Sequence, residues 1–276
     1  MQHNLKLDEI QKIQLNILLE VADFCDKNGI TYFLTAGTLI GALRHQGFIP
    51  WDDDIDILMF RPDYEKFISI FNKRKNAGTK KVFATGYKNY PYAFAKVSDE
   101  NTVLVESENL NKYFQIGVNI DVFPLDYLGD DLSLANKFVN YIYRYGGLMD
   151  IKNISLDRPR PWYKQTFIKI AQMCFKIFSY KYLISKINQI ARKYENQTNS
   201  KYIGQIVLKA KGEREILERK WFSSTIELLF ENHLFKAPVG YDAYLRRLFG
   251  NYMQLPPPGK RVSTHYIKAY YKGEIK

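Results

Sequence analysis

The sequence predicts an α+β protein in which a mixed sheet is flanked by helices and extended by further helices. Apolar residues recur at helical spacing within residues 8–28, and short apolar or alternating segments typical of strands lie between residues 80 and 123. After about residue 130 the pattern becomes mainly helical and rich in Tyr, Phe and Lys. We therefore expect a core at 1–130 and a mostly helical region at 131–276, which together form one continuous structural unit.

The first elements follow from apolar periodicity and from residues that break helices. Residues 8–28 predict an amphipathic helix that stops at Gly29, and ITYFLT at 30–35 predicts a short buried strand. The pair Gly37–Thr38 then marks the turn into a helix in LIGALRHQ. Such a turn lets a phosphate approach the N–H groups at the start of a helix, although any strand-to-helix turn can use a glycine.

The next strand is predicted to carry acidic residues on one face. DIDILM at 54–59 alternates so that Asp54 and Asp56 point away from the neighbouring isoleucines, as on a half-buried strand. FQIGVNIDVF at 114–123 repeats this pattern and presents Asp121 from a second strand. The other predicted elements are helices in PDYEKFISIFNKR, LANKFVNYIYRYGGLMD, residues 162–197 and YDAYLRRLFG, and strands in KVFATGY, YAFAKVSDE and NTVLVES.

Composition limits the class of protein and its partners. The chain has 276 residues, a formal net charge of +11 and two cysteines, Cys25 and Cys174, which form no metal-ligand pair. The basic excess favours an anionic partner: a nucleotide, a nucleic acid or an acidic membrane face. Neither a secretory signal nor an apolar run of about 20 residues is visible, so we expect a cytoplasmic protein in a reducing compartment.

Four aspartates, Asp52, Asp53, Asp54 and Asp56, lie within five positions. A calcium loop of the EF-hand type fits poorly, because the position that needs glycine holds Ile57. A solvated acidic run is the second interpretation, but the alternation places two of these residues on a core strand. Close carboxylates repel one another there unless a cation or basic groups offset them. The third interpretation, a divalent-metal site completed by substrate phosphate, is the one we favour.

The order of these elements also indicates a family. The nucleotidyltransferase superfamily has this general layout: a helix, a strand, a Gly-Thr turn, a second helix and an Asp-x-Asp strand. AGTLIGALRHQGFIPWDDDIDILM at 36–59 closely resembles the LicD family, the bacterial relatives of fukutin and the fukutin-related protein. IDVFPLD at 120–126 and the final YLRRLFGNYMQLPPP also resemble LicD segments in the expected order. The resemblance covers most of the chain, with a diverged middle at about 130–210.

The LicD resemblance implies a nucleotidyltransferase-like fold and a transferase for substituted phosphate groups. It implies transfer of phosphocholine from CDP-choline to a sugar hydroxyl of a teichoic-acid or lipopolysaccharide precursor, with Mg²⁺ or Mn²⁺ as cofactor. By motif, Asp54, Asp56 and Asp121 are implied as catalytic residues and metal ligands, with Asp52 and Asp53 in support. Asp121 either accepts the proton of the attacking hydroxyl or only binds metal.

Seven further residues are candidates for substrate contact: Gly37, Thr38, Arg44, His45, Lys96, Lys260 and Arg261. Arg44 and His45 either touch donor phosphate or pair with the spare aspartates. Lys96, on a predicted sheet, either reaches a phosphate as a point charge or lies on the surface. Lys260 and Arg261 follow the proline run and are predicted to contact phosphate.

Choline as cargo would require aromatic faces around its quaternary ammonium. Tyr87, Tyr90, Tyr92 and Phe94 offer an aromatic cluster. Because the chain contains 21 tyrosines, such a cluster can equally be incidental, and the cage residues stay unassigned.

Residues 162–194 carry lysines among aromatic and aliphatic residues. They include Lys164, Lys169, Lys176, Lys181 and Lys186. This pattern suits a surface helix that touches anionic lipid, which agrees with a lipid-linked glycan acceptor and a peripheral position at the inner face of the cell membrane. The alternative is a helical cap that packs on the core with its lysines in water.

Other functions stay open. The cargo can be another CDP-linked alcohol, such as ribitol or glycerol, and the reaction can be nucleotidyl transfer to a small molecule or RNA. A protein that binds nucleotides without catalysis is a further class. The complete set of carboxylates argues against it, because a catalytic site that has lost its activity should tend to lose them. No RNA-binding module is recognisable in the sequence, so we expect no nucleic-acid partner.

Overall fold

The computed structural model describes residues 4–75, 78–105, 114–154, 160–208, 212–262 and 268–273. Within these ranges the helices are α1 (Leu7–Lys27), α2 (Ala36–His45), α3 (Arg61–Ile70), α4 (Leu132–Asn153), α5 (Trp162–Cys174), α6 (Tyr180–Ala191) and α7 (Tyr241–Phe249). The strands are β1 (Phe33–Leu34), β2 (Asp56–Phe60), β3 (Lys80–Phe83), β4 (Ala95–Asp99), β5 (Thr102–Val105), β6 (Asn119–Gly129), β7 (Tyr202–Gly204), β8 (Leu217–Glu218), β9 (Thr225–Phe230), β10 (His233–Pro238) and β11 (Lys268–Tyr271).

The main sheet places β6 between β2 and β4. Its strand order is β1-β2-β6-β4-β3, while β7 pairs with the last residues of β6 and with β8. β2 runs parallel to β6, whereas β4 runs antiparallel to it. Two separate pairs, β9–β10 and β5–β11, complete the strands. The mixed sheet with flanking helices confirms the predicted α+β class and is consistent with a nucleotidyltransferase-like fold.

The first helix, α1, packs on β6 and β4. Ile13, Ile17 and Val21 are spaced four residues apart, lie on one side of the helix and are buried. After α1 ends, Gly29 has a φ of 59°, a left-handed conformation that glycine adopts without strain. The predicted helix and its stop at this glycine are confirmed.

Several element boundaries differ from the predictions because pairing, rather than alternation, sets them. β1 covers two residues of the strand predicted at 30–35, since those two pair with β2. β6 continues to Gly129, beyond the predicted end at 123, because its later residues pair with β2 and β7. α2 begins at Ala36 and so includes the pair that was predicted as a turn. Of the strand predicted in NTVLVES, residues 106 and 107 lie outside the described residues.

The region after residue 131 contains strands as well as helices. The helical pattern predicted over 162–197 is interrupted between α5 and α6, where Ser179 caps the new helix by accepting from the N–H of Tyr182. The hairpin β9–β10 was not predicted. Its two-residue turn has positive φ at Glu231 and Asn232, and the N–H of Glu231 donates to the carbonyl of Gln46 at 2.9 Å. The division of the chain at residue 130 stays a prediction.

A buried ion pair joins the end of β2 to β6. Arg61, the first residue of α3, donates from Nε to Oδ1 of Asp126 at 2.6 Å and from Nη2 to Oδ2 at 2.8 Å. The two side chains are 2% and 1% exposed. This two-point bond between a planar guanidinium and a carboxylate has a fixed geometry, so it ties α3 to one register of the parallel pair.

Candidate active site

Three strands bring polar residues from distant parts of the chain together. Asp121 on β6 is in register with Asp56 on β2 and with Lys96 on β4. Residues in register on neighbouring strands project from the same face of a sheet, so the two carboxylates and the ammonium meet. The backbone N–H of Asp121 also donates to the carbonyl of Ile55 at 2.8 Å, which holds the two acidic strands together at this level.

Lys96 is a buried member of this group, with 5% of the residue exposed. Its Nζ donates to Oδ1 of Asp121 at 2.7 Å and to Oδ1 of Asn119 at 3.1 Å. The ring centroids of Tyr92 and Phe94 lie 5.0 and 5.7 Å from Nζ, within range for cation–π attraction. The alternative of a surface lysine is therefore wrong, and a phosphate contact stays a prediction. Tyr92 and Phe94, two members of the predicted aromatic cluster, thus face the ammonium of Lys96.

The loop before β2 holds three further carboxylates, among them Asp54. The prediction that Asp54 lies on the strand is wrong, because β2 begins at Asp56, the first residue that pairs with β6. Asp52, Asp53 and Asp54 each offer an oxygen, and these oxygens lie within 4.8 Å of one another. Within the described ranges this trio meets that spacing, whereas the predicted set of Asp54, Asp56 and Asp121 does not. The two sets share one residue. The predicted ligands stay a prediction, and Asp52 and Asp53, which the resemblance implied in a supporting role, lie close to Asp54.

Two glutamines of α1 hold this loop in place. Gln11 Nε2 donates to the carbonyl of Asp52 at 2.8 Å. Gln14 Nε2 donates to the carbonyls of Asp53 at 2.8 Å and Asn119 at 3.2 Å. Apolar periodicity did not identify either residue. A detectable signal existed, however, because Gln14 is a polar residue on the buried apolar side of α1.

Negative charge is concentrated around Asp56. Burial raises the pKa of this carboxyl well above its usual range, and the charge of Asp54 raises it further. Asp121 and Asp52 add to the rise, and Lys96 opposes it. One ammonium thus faces several carboxylates, and the donors are all oxygens, which suit Mg²⁺ or Mn²⁺. By this donor chemistry, the residues present fit a divalent cation.

The first turn of α2 lies directly against the acidic residues. A Cβ on Gly37 would collide with the carboxylate of Asp52, so a larger residue at this position would force that carboxylate to move. The hydroxyl oxygen of the buried Thr38 accepts from the N–H of Asp56 at 2.9 Å. The N–H of Thr35 donates to the carbonyl of Asp56 at 3.2 Å. The structure therefore brings the predicted Gly-Thr pair to the acidic strand, and direct substrate contact by these two residues stays a prediction.

Tyr244 connects the C-terminal part of the chain to this turn. It is buried on α7, and its hydroxyl shares a short hydrogen bond with the hydroxyl of Thr35. The sequence interpretation singled out the surrounding YLRRLFG segment but not this residue. A buried tyrosine hydroxyl needs a partner, and no local pattern indicates that the partner lies in a segment so far away.

Thr38→Val is expected to lower the free energy of unfolding by about 1–2 kcal/mol, because the N–H of Asp56 loses its acceptor while the side-chain volume hardly changes. Thr38→Ser keeps the hydroxyl and is the matched control, with a loss of about 0.8 kcal/mol for the missing methyl group. Urea unfolding of both variants measures the difference. A larger loss in the serine variant would contradict a role for the hydroxyl.

A second group of residues lies at the other end of α2. Arg44 donates from Nε to Nε2 of His45 and from Nη1 to the carbonyl of Tyr252, both at 2.9 Å. Burial and then the charge of Arg261 lower the pKa of Arg44, so the two guanidinium groups lie near each other. Arg44 and His45 thus bond to each other rather than to the spare aspartates. Arg261 donates to a proline carbonyl, and Lys260 is exposed. Phosphate contact by these two residues stays a prediction. The same holds for Arg44 and His45.

Comparison with known proteins finds similarity in the part of the chain that contains this candidate site. Residues 29–130 match the family model described as LicD/FKTN/FKRP, nucleotidyltransferase domain. The lipopolysaccharide cholinephosphotransferase LicD of Haemophilus influenzae is 27% identical over 271 residues, which cover 96% of this chain and 98% of that protein. The uncharacterized protein RP689 of Rickettsia prowazekii is 28% identical over 155 residues, 55% of this chain and 56% of its own length. The family match contains the acidic strands, Lys96 and α2, and the predicted resemblance is confirmed.

Proposed function

Because this chain carries a nucleotidyltransferase domain of the LicD family, we propose that it transfers phosphocholine from CDP-choline to a hydroxyl of a cell-surface glycan precursor. The observation that carries the proposal is the register of Asp56, Asp121 and Lys96 on three adjacent strands. The relative that is similar over almost the whole chain is named a lipopolysaccharide cholinephosphotransferase. A glycan of the lipopolysaccharide or teichoic-acid type is accordingly the proposed acceptor class.

The proposed cofactor is Mg²⁺ or Mn²⁺, held by Asp54, Asp56 and Asp121 with Asp52 and Asp53 close by. When bound, such an ion polarises diphosphate oxygens and offsets the charge that develops on the departing CMP. The charges of Asp54, Asp121 and Asp52 around the buried Asp56 support the assignment, because the repulsion at Asp56 needs a compensating positive charge.

The chain's own residues account for the remaining roles. Asp121 is the proposed general base, and the 2.7 Å bond from Lys96 fixes the orientation of its carboxylate. The acceptor oxygen forms a bond to the phosphorus of phosphocholine, its proton passes to Asp121, and the bond to CMP breaks with the electron pair leaving on CMP. The first turn of α2, kept open by Gly37, is the proposed cradle for the donor diphosphate.

A lipid-linked acceptor would bring the enzyme to the inner face of the cell membrane as a peripheral protein. Arg44 lies near the end of α2, and the guanidinium of Arg261 lies near it. These two groups are proposed to contact an anionic group of the donor or acceptor that lies farther from the acidic residues. Lys260 lies on the same segment and is proposed as a weaker, solvent-screened contact.

The test is thermal stabilisation by CDP-choline, CDP-ribitol, CDP-glycerol, CMP and ATP, each with and without Mg²⁺. CDP-choline with Mg²⁺ is expected to raise Tm by about 5 °C at 100 times Kd, because a ligand that binds only the native state stabilises it. Asp54→Asn is expected to lose this response, and Asp23→Asn, an exposed aspartate of α1, is the matched control.

The product then separates the reaction classes. Release of CMP together with a phosphocholine-modified sugar, followed by mass spectrometry, supports the proposal. A preference for CDP-ribitol or CDP-glycerol would keep the transfer chemistry and change the cargo. Incorporation of a nucleotide into the acceptor, with release of pyrophosphate from a nucleoside triphosphate, would replace the proposal with nucleotidyl transfer.

A further inference from the structure

Helix α5 leaves an apolar face uncovered. No residue of this helix is buried within the part of the chain that the structure describes. Trp162, Phe167 and Met173 are 78%, 73% and 69% exposed, and Ile177 just beyond the helix is 80% exposed. Such a group of large apolar side chains marks an interaction surface rather than an ordinary helix surface.

The exposed apolar residues of α5 form one stripe, which also contains Thr166, whose hydroxyl donates to the carbonyl of Trp162. With about 100° per residue, Trp162, Met173, Ile170, Tyr163 and Phe167 fall at about 0°, 20°, 80°, 100° and 140° around the helix. The half-buried residues Gln165, Ile168, Ala171 and Gln172 fall on the opposite side, between about 180° and 300°. The helix is therefore amphipathic, with the larger apolar side chains on the side that faces away from the protein.

Polar bonds from the inner side attach α5 to α4. Gln172 Nε2 donates to the carbonyls of Ile151 at 3.1 Å and Ile154 at 2.9 Å. Lys152 Nζ donates to the carbonyl of Phe175 at 3.3 Å. These bonds fix which side of the helix points outward, so the exposure of the stripe follows from the attachment itself.

The charges beside the stripe select its partner. Lys169 is exposed and lies at about 340°, next to the apolar stripe, and Lys164 is exposed at about 200°, where the other edge of the stripe meets the inner side. The helix contains two lysines and no acidic residue. A second copy placed on this face would bring like charges together, whereas the headgroups of an anionic bilayer would meet lysines at both edges and tryptophan and tyrosine at the interface.

We infer that α5 is a membrane-surface helix that seats its apolar stripe in the headgroup region of an anionic leaflet. Within the described residues, no helix combines the length and the apolar character needed to cross a bilayer. The inference concerns where the protein sits and does not depend on which phosphate group is transferred.

The native cysteines allow a direct test on the full chain. Cys174 is exposed and falls at about 120°, inside the apolar stripe. Cys25 is fully buried, and this burial raises the pKa of its thiol, so an environment-sensitive thiol dye will label Cys174. Vesicles of phosphatidylcholine with phosphatidylglycerol are expected to shift the dye emission to the blue. An unchanged spectrum with these vesicles would overturn the inference.

Variants identify the parts of the helix that bind. Lys164→Gln with Lys169→Gln is expected to weaken binding to the anionic vesicles about 25-fold in flotation assays, and Phe167→Ser with Ile170→Ser at least about tenfold. The control is Leu234→Ser, because Leu234 is 61% exposed on β10, away from α5, and its binding should not change. Equal binding by all variants, or a dimer in sedimentation that Phe167→Ser dissolves, would contradict the membrane assignment.

The enzyme assay separates this inference from the proposed function. With a water-soluble sugar acceptor, the α5 variants should transfer phosphocholine at the unmodified rate. Failure of vesicle binding together with normal transfer would remove the membrane helix alone. Vesicle binding by a chain that transfers nothing would remove the proposed function alone.

Discussion

Asp56→Asn is expected to reduce transfer by about 10³-fold or more while the protein stays folded and its metal-free form becomes more stable. The buried carboxyl of Asp56 faces the charges of Asp54, Asp121 and Asp52, and this repulsion disappears when the amide replaces it. A gain of about 1 kcal/mol would raise Tm by about 2–4 °C in the presence of a chelator. The stabilisation by Mg²⁺ should disappear at the same time, because a ligand is lost.

Opposite changes in stability and activity distinguish a functional carboxylate from a structural one. Tm with and without Mg²⁺, together with the rate of CMP release, measures both effects. Asp23→Asn, which removes an exposed carboxylate paired with Lys27, should change neither quantity. Activity within tenfold of the unmodified protein, or an unchanged response to Mg²⁺, would refute the assignment of Asp56 as a metal ligand.

Arg61→Met is expected to lower the free energy of unfolding by about 3–5 kcal/mol. The loss follows because the buried carboxyl of Asp126 would lose the guanidinium that binds both of its oxygens, at 2.6 and 2.8 Å. Arg61→Met with Asp126→Leu removes both charges and should recover most of the loss. Urea unfolding of the two single variants and the double variant measures the coupling.

An exposed ion pair supplies the matched comparison for this prediction. Arg246 and Asp242 lie on the surface of α7, with Nε and Oδ2 2.8 Å apart. Arg246→Met should change the free energy of unfolding very little, because solvent stabilises both charges when the pair is broken. If Arg61→Met costs no more than Arg246→Met, the buried pair does not determine the stability of the sheet.

Local sequence was sufficient for the features that depend on neighbouring residues. The apolar period and the glycine stop predicted α1, because a helix buries residues three and four apart. Alternation around Asp56 and Asp121 predicted two acidic strands, since successive side chains of a strand point to opposite faces. The structure then pairs these two residues directly. The long motif at 36–59 was enough to predict the family.

Three-dimensional packing was needed for the features that join distant segments. The pairing of Lys96 with Asp121 requires β4 to lie beside β6. The position of the aspartate loop depends on the hydrogen bond from Gln14 of α1. Likewise, the approach of Arg261 to Arg44 depends on where the C-terminal segment returns. Periodicity reports which side of an element is buried but not which element covers it. Burial of a lysine becomes favourable only when a carboxylate from another strand is present, so these contacts follow from the assembled sheet.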